Sequence, residues 1–184
     1  MANRTANYTA FYVDEPFNES NLGAYATKDF VYYNQLKAWK AADSSFPFVN
    51  AHDKTYNVRD GSDWESTLKP RLHERINASQ NIILILSSIT KSSRALKEEI
   101  EFGINSGLPI IVVYPEFSEK SEIAENSIIE DQIKKLWNNI PVFRDNMSKV
   151  ATLHIPYKKE IISRALSCDG FKIQNAKKAG KYFY

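Results

Sequence analysis

Residues Asn81–Pro115, NIILILSSITKSSRALKEEIEFGINSGLPIIVVYP, decide the fold. Ile82–Leu86 is a short continuous apolar run rich in β-branched side chains, the pattern of a strand buried on both faces. Ser87–Ser93 is a polar connector with several hydroxyls suited to cap a helix. Leu96, Ile100, Gly103 and Ile104 then recur at i, i+4, i+7 and i+8, the apolar stripe of an amphipathic helix that ends near Ser106-Gly107. Leu108–Tyr114 is a second buried strand. The stretch reads as strand, helix, strand.

Three glutamates on this helix are not equivalent. At about 100° per residue, Glu98 and Glu101 fall opposite the stripe and are expected in solvent. Glu99 falls at the stripe's edge, one turn before Gly103 and near the helix N-terminus. A half-buried carboxylate at the mouth of a βα unit lies where open α/β sheets hold ligands. The alternative is an edge glutamate supported by the helix dipole or a cation.

Further elements alternate outward from this unit. Tyr8–Val13 reads as the first, central strand, stopped by Asp14-Glu15-Pro16. The polar loop Phe17–Lys28 leads to a helix over Asp29–Ala42 with Tyr32, Leu36 and Trp39 on one stripe and Tyr33 on its flank. Phe46–Asn50 is a short strand that Pro47 assigns to an edge, followed by the polar loop Ala51–Gly61. Ser62-x-x-Glu65 has the form of a capping box for a helix through Trp64, Leu68, Leu72 and Ile76. Pro70 either kinks that helix or sits in its first turn. Phe117–Asn126 is charged and flexible in composition. Ile129, Ile133, Leu136 and Trp137 mark a fourth helix, Val150–Ile155 a last strand and Tyr157–Cys168 a last helix. The predicted fold is α/β, flavodoxin-like, with a five-stranded parallel sheet in order 2-1-3-4-5 and helices on both faces. Residues 1–170 form a single domain in this reading. Residues 171–184, with Lys172, Lys177, Lys178 and Lys181, form a basic and aromatic tail, solvated or loosely docked.

Composition narrows the function classes. The chain has 184 residues, 43% hydrophobic and 25% charged, with Lys+Arg 24 against Asp+Glu 22 and a net charge of +2. That balance gives no support to nucleic-acid binding. No apolar run spans a membrane and MANRTANYTA has no signal-peptide core, so the expected location is cytoplasmic. The single cysteine, Cys168, fits a reducing compartment. His52, His73 and His154 are scattered, so no metal is expected. Neither glycine-rich phosphate motif occurs, nor a G-x-S-x-G elbow. The third strand ends in Ser87-Ser88, not in the aspartate of a phosphoryl receiver. A carboxylate, hydroxyls and aromatics around a switch point suit a nucleoside or nucleotide.

On these residues the chain resembles the TIR domain family. Ser93-Arg94-Ala95-Leu96-Lys97-Glu98-Glu99-Ile100, before Gly-x-Pro-Ile-Ile-Val-Val, is similar to the family's S-x-W-C-x-x-E-[LI] helix. Phe11 matches the phenylalanine of the opening F-I-S motif. Ala95 stands for the usual tryptophan, Leu96 for the cysteine and Tyr12-Val13-Asp14-Glu15 for I-S-Y-R. With Tyr32-Tyr33 and Ala38-Trp39, these departures are closer to the divergent TIR-like branch of the bacterial Thoeris anti-phage system. The resemblance covers roughly Tyr8–Cys168.

The resemblance implies an enzyme that cleaves NAD as substrate, needs no separate cofactor, and cyclises the ADP-ribose into a messenger. That messenger reaches a partner effector without direct contact between the proteins. It implies Glu99 as the catalytic carboxylate, with a homo-oligomer and a phage-derived trigger as further expectations. Phe11, Tyr12 and Asp14 at the end of the first strand, Asn50 and Asp53 after the second, and Ser93 are candidate substrate contacts. Each is equally readable as a cap, turn or core residue. Tyr33 is the candidate to hold the base in place of the missing tryptophan. The rival readings are a non-catalytic TIR interaction module and an enzyme resembling nucleoside deoxyribosyltransferases.

Overall fold

The computed structural model of the chain describes residues 4–13, 28–52 and 63–184. In chain order the elements are β1 (Ala6–Ala10), α1 (Lys28–Ala42), α2 (Lys69–Asn77), β2 (Ser79–Ile85), α3 (Arg94–Asn105) and β3 (Ile110–Tyr114). Then come the short β4 (Ala124–Glu125) and β5 (Ile128–Ile129), α4 (Asp131–Trp137), α5 (Pro141–Asn146), β6 (Ala151–Pro156), α6 (Lys159–Ser167) and β7 (Gly180–Phe183). The main sheet runs β1-β2-β3-β6-β7, every neighbouring pair parallel. The expected α/β architecture with a five-stranded parallel sheet is present.

Both sheet edges differ from expectation. Phe46–Asn50 makes only one bridge to β1, between Asn7 and Asn50, where a full second strand was expected. Pro47 has no N–H to donate, so a regular ladder cannot run through it. A buried side chain compensates. Asn7 Oδ1 accepts from Val49 N at 2.8 Å, and Asn7 Nδ2 donates to Asn81 Oδ1 at 2.9 Å, locking the segment to β1 and β2. The position of that strand beside β1 is therefore kept without its ladder. At the opposite edge the tail is not loosely docked, because Gly180–Phe183 adds a strand beside β6.

That edge strand is held by a buried polar chain. Trp137 Nε1 donates to Tyr114 Oη at 2.8 Å, which leaves the tyrosine proton for His154 Nδ1, also at 2.8 Å. Nε2–H of His154 then donates to Thr152 Oγ1 (3.0 Å), whose proton goes to the carbonyl of Gly180 (3.3 Å). Burial holds the His154 pKa down to about 3, so the ring stays neutral and the chain intact.

Alternation along the strands separates two cores. Ile82 and Leu84 of β2 join Leu72 and Ile76 of α2, Leu96, Ile100 and Ile104 of α3, and Trp137 of α4 on one face. Ile83 and Ile85 meet Tyr33 and Leu36 of α1 and Ile162 and Leu166 of α6 on the other. Each such buried aliphatic side chain contributes about 1.5–3 kcal/mol.

Three local details depart from the sequence reading. A single π-helical turn over Trp64–Leu68 precedes α2, with Pro70 in the first turn of α2. Proline cannot donate to the carbonyl four residues back, and the wider turn absorbs that loss. The cap is Asp63, whose side chain accepts from Ser66 N at 2.7 Å, while Ser62 lies outside the described residues. Residues 117–126 are more ordered than their composition implied. They include a 3-10 turn over Lys120–Glu122, and Asn126 (φ 48) and Ser127 (φ 65) turn the β4–β5 hairpin. Pro141 opens an unexpected helix, α5, in the position proline favours.

Candidate functional site

Helix α3 carries the site because its ends and one face are fixed. Ser93 caps it, with Oγ accepting from Leu96 N at 3.1 Å. Leu96, Ile100, Gly103 and Ile104 are all buried, as the stripe required. Gly103 lies so close to β2 that a Cβ there would sit 2.1 Å from Cδ1 of Ile82. This close approach draws α3 onto the sheet and brings Glu99, one turn earlier, against β1.

Glu99 as a residue is half-buried, but its carboxylate points inward. Oε1 accepts from Tyr8 Oη at 2.8 Å, and Oε2 is buried with no hydrogen-bond partner among the described residues. Burial pushes the carboxyl pKa up to about 8, against the opposing pull of the Tyr8 hydroxyl and the Arg75 guanidinium. Tyr8 is itself pushed up, first by burial and then by the charge of Glu99. A buried acid with one oxygen unmet is a costly arrangement in a merely structural position. It is poised to accept a donor and a positive charge.

Glu98 and Glu101 separate as helical geometry demands, with one correction. Glu101 is exposed, whereas Glu98 turns to α2 and is not free in solvent. Its Oε1 lies 2.7 Å from His73 Nε2, and Lys69 Nζ is 3.6 Å from Oε2. His73 also stacks on Phe102 with ring centres 3.7 Å apart. This seam ties α2 to α3 beside Glu99.

The sheet divides the other candidate residues. Phe11 and Tyr33 stack at 4.8 Å on the α1 side, while Tyr8, Tyr12 and Glu99 belong to the α2–α3 side. His52 joins the two groups around the edge of β1. Its ring is 4.7 Å from Tyr8 and 5.7 Å from Tyr33, and Nε2 is 3.0 Å from the carbonyl of Thr9. Asn50 Nδ2 donates to Tyr33 Oη at 3.0 Å. Tyr33 is thus buried and bonded on the α1 side of the sheet, across from Glu99. Ser93 is occupied as the cap of α3. Asp14 and Asp53, with most of the two long polar loops, lie outside the described residues.

The aromatic surface at the start of α3 comes from Trp64, with the Arg94 guanidinium 4.5 Å from its ring centre, rather than from position 95. A groove of about 310 Å³ lined by Lys37, Lys40, Ala41, Phe48, Val49 and Asn50 runs along the outer edge of the sheet. It reaches Asn50 but not Glu99.

Three contributors were not foreseen. Tyr8 and His52 are placed by long-range contacts that no local spacing encodes. Asp29 is fully buried, accepting from Ser87 Oγ at 2.6 Å and Thr90 Oγ1 at 2.7 Å. It ties the start of α1 to the loop between β2 and α3, and burial raises its pKa against those hydrogen bonds. The one available signal was an aspartate in a helical first turn. Among the described residues no group of histidine, cysteine, aspartate and glutamate is arranged to hold a metal ion. None of the helices described is long and apolar enough to cross a membrane.

The five-stranded parallel sheet flanked by helices is the architecture of a TIR-like, flavodoxin-like α/β domain. The family model described as Thoeris protein ThsB, TIR-like domain, matches residues 8–120, the region from Tyr8 through β3. The chain belongs to that family.

Proposed function

We propose that this protein cleaves the bond between nicotinamide and ribose in NAD, with Glu99 as the catalytic carboxylate, and cyclises the ADP-ribose into a messenger. The observation that carries this reading is the buried Oε2 of Glu99, unmet among the described residues and held beside a hydroxyl that already occupies Oε1. A ribose hydroxyl donates to Oε2. The pyridinium charge of the bound nicotinamide favours the ionised acid, so Glu99 gives up its proton as substrate binds. The bond from the ribose anomeric carbon to the ring nitrogen then breaks, and its electron pair leaves with the nicotinamide and neutralises it. The carboxylate stabilises the cation left on the sugar. A hydroxyl or ring nitrogen of the same molecule supplies the new electron pair, and where that nucleophile carries a proton it passes to solvent. Exclusion of water favours this closure over hydrolysis.

The cyclic product signals to an effector protein in anti-phage defence, with a phage component as trigger and a homo-oligomer as the active form. Incubation of the concentrated protein with NAD, followed by chromatography and fragmentation mass spectrometry, tests the reading. Nicotinamide and a cyclic ADP-ribose isomer are expected. Absence of both at every protein concentration, with and without lysate from infected cells, would leave the interaction module as the better account. That second reading draws support from Ala95 in place of the family's tryptophan and from Tyr12-Val13-Asp14-Glu15 in place of its first-strand motif.

A further inference from the structure

Resting on the reading of Glu99 as the reacting carboxylate, we infer that Tyr8 is its positioning residue. The phenol holds Oε1 and leaves Oε2 as the oxygen presented to substrate.

A glutamate side chain has several rotatable bonds, and a carboxylate held by neither oxygen would sample many orientations. Fixing one oxygen fixes the plane of the group and the direction of the other. Tyr8 can do this because its own position is set by a strand, not a loop. It pairs in register with Ile82 of β2 and is 2% exposed. Its ring leans on His52, which is anchored in turn to the Thr9 carbonyl. A reacting group supported from a rigid element holds the narrow geometry that catalysis needs.

Packing alone does not call for the hydroxyl. The α2–α3 face of β1 needs an apolar ring at this position, and a phenylalanine would meet that need. The hydroxyl adds a buried polar group that must be bonded, and Glu99 is the acceptor at 2.8 Å. The same bond favours the ionised carboxylate over the acid, opposing the desolvation that raises it. Arg75 of α2 acts in the same direction, and the Lys69–Glu98–His73 seam lies alongside on α2 and α3. Tyr8 therefore influences both where Oε2 points and when it carries charge.

The test follows the Glu99 carboxyl by NMR in the full chain with isotope-labelled glutamate, alongside the pH profile of NAD cleavage. In Tyr8→Phe the carboxyl titration moves up by at least about half a pH unit. The pH limb of cleavage moves by the same interval, and kcat falls on the order of tenfold. A fluorinated tyrosine at position 8 is a stronger donor with nearly unchanged packing. It moves the titration down, and it decides the matter if the phenylalanine variant fails to fold. Titration unmoved in the folded variants overturns the inference even if NAD is cleaved. Titration moved in a protein that never cleaves NAD upholds Tyr8's hold on Glu99 and overturns the NAD reading instead.

Discussion

The hydroxyl of Tyr8 on β1 donates to Oε1 of Glu99 on α3 at 2.8 Å, across 91 positions of sequence. It joins the strand beside the sheet's bridged edge to the helix that follows β2. A surface glutamate at the same spacing would meet a lysine or water and contribute little. Here burial keeps the acid high, and the phenol engages one of its two oxygens. The other oxygen is unmet among the described residues.

Glu99→Gln keeps the shape of the side chain but cannot become an anion. Nicotinamide release from NAD is expected to fall by at least about a hundredfold, the usual scale for loss of a reacting carboxylate. Far-ultraviolet circular dichroism should be unchanged. Turnover within twofold of wild type would remove Glu99 from the reaction.

The pH profile of kcat/KM reports the free enzyme, in which the Glu99 pKa is pushed up to about 8. The ionised form stabilises the sugar cation, so kcat/KM should climb through neutral pH and level off above about 8. Binding of NAD at pH 7, with its pyridinium ring beside Glu99, should release protons to the buffer, measurable by calorimetry in buffers of different ionisation heat. A profile already flat at pH 5–6 would contradict this assignment.

Stability should have an acidic optimum. Glu99 has an ordinary value of 4.5 and a folded value of about 8, so the folded protein holds a proton that the unfolded chain loses. Its contribution is present below about pH 4.5 and is lost as pH rises towards 8, by up to roughly 1.4 kcal/mol per pH unit. His154 runs the other way. With an ordinary value of 6.5 and a folded value of about 3, it costs stability as pH falls from 6.5 towards 3. The two effects oppose each other between about pH 4.5 and 6.5, where these groups leave stability nearly level. Urea unfolding across pH should show a falling limb above about 6.5 in wild type and its loss in Glu99→Gln.

Gly103→Ala tests how α3 is seated. The added Cβ would meet Cδ1 of Ile82 at 2.1 Å, so either the isoleucine changes rotamer or the helix lifts. A cost of about 1–3 kcal/mol is expected from overpacking, less the small gain from alanine's helix propensity. Because Glu99 is one turn away, NAD cleavage should fall together with stability. Calorimetric melting and the cleavage assay on the same sample provide the check.

Local periodicity was enough for the parts of this protein whose structure is local. The apolar runs Ile82–Leu86 and Leu108–Tyr114 and the Leu96–Ile100–Gly103–Ile104 stripe determined a βαβ unit, because buried strands and amphipathic helices announce themselves by spacing. The same geometry separated Glu99 from Glu101. It failed for Glu98, since the helix face opposite the sheet is solvent only where no second helix packs. Here α2 brings His73 and Lys69 to it. Tertiary structure alone decided the rest. Gly180–Phe183 is a strand because β6 has an open edge and His154 anchors the carbonyl of Gly180 through Thr152. Tyr33 packs across the sheet from Glu99, and Tyr8 meets Glu99 because alternation along β1 turned its ring towards α3. Sequence spacing chose which carboxylate faces inward. Only the folded sheet, by setting which side chains meet across it, decided that one oxygen of that carboxylate is held and the other unmet among the described residues.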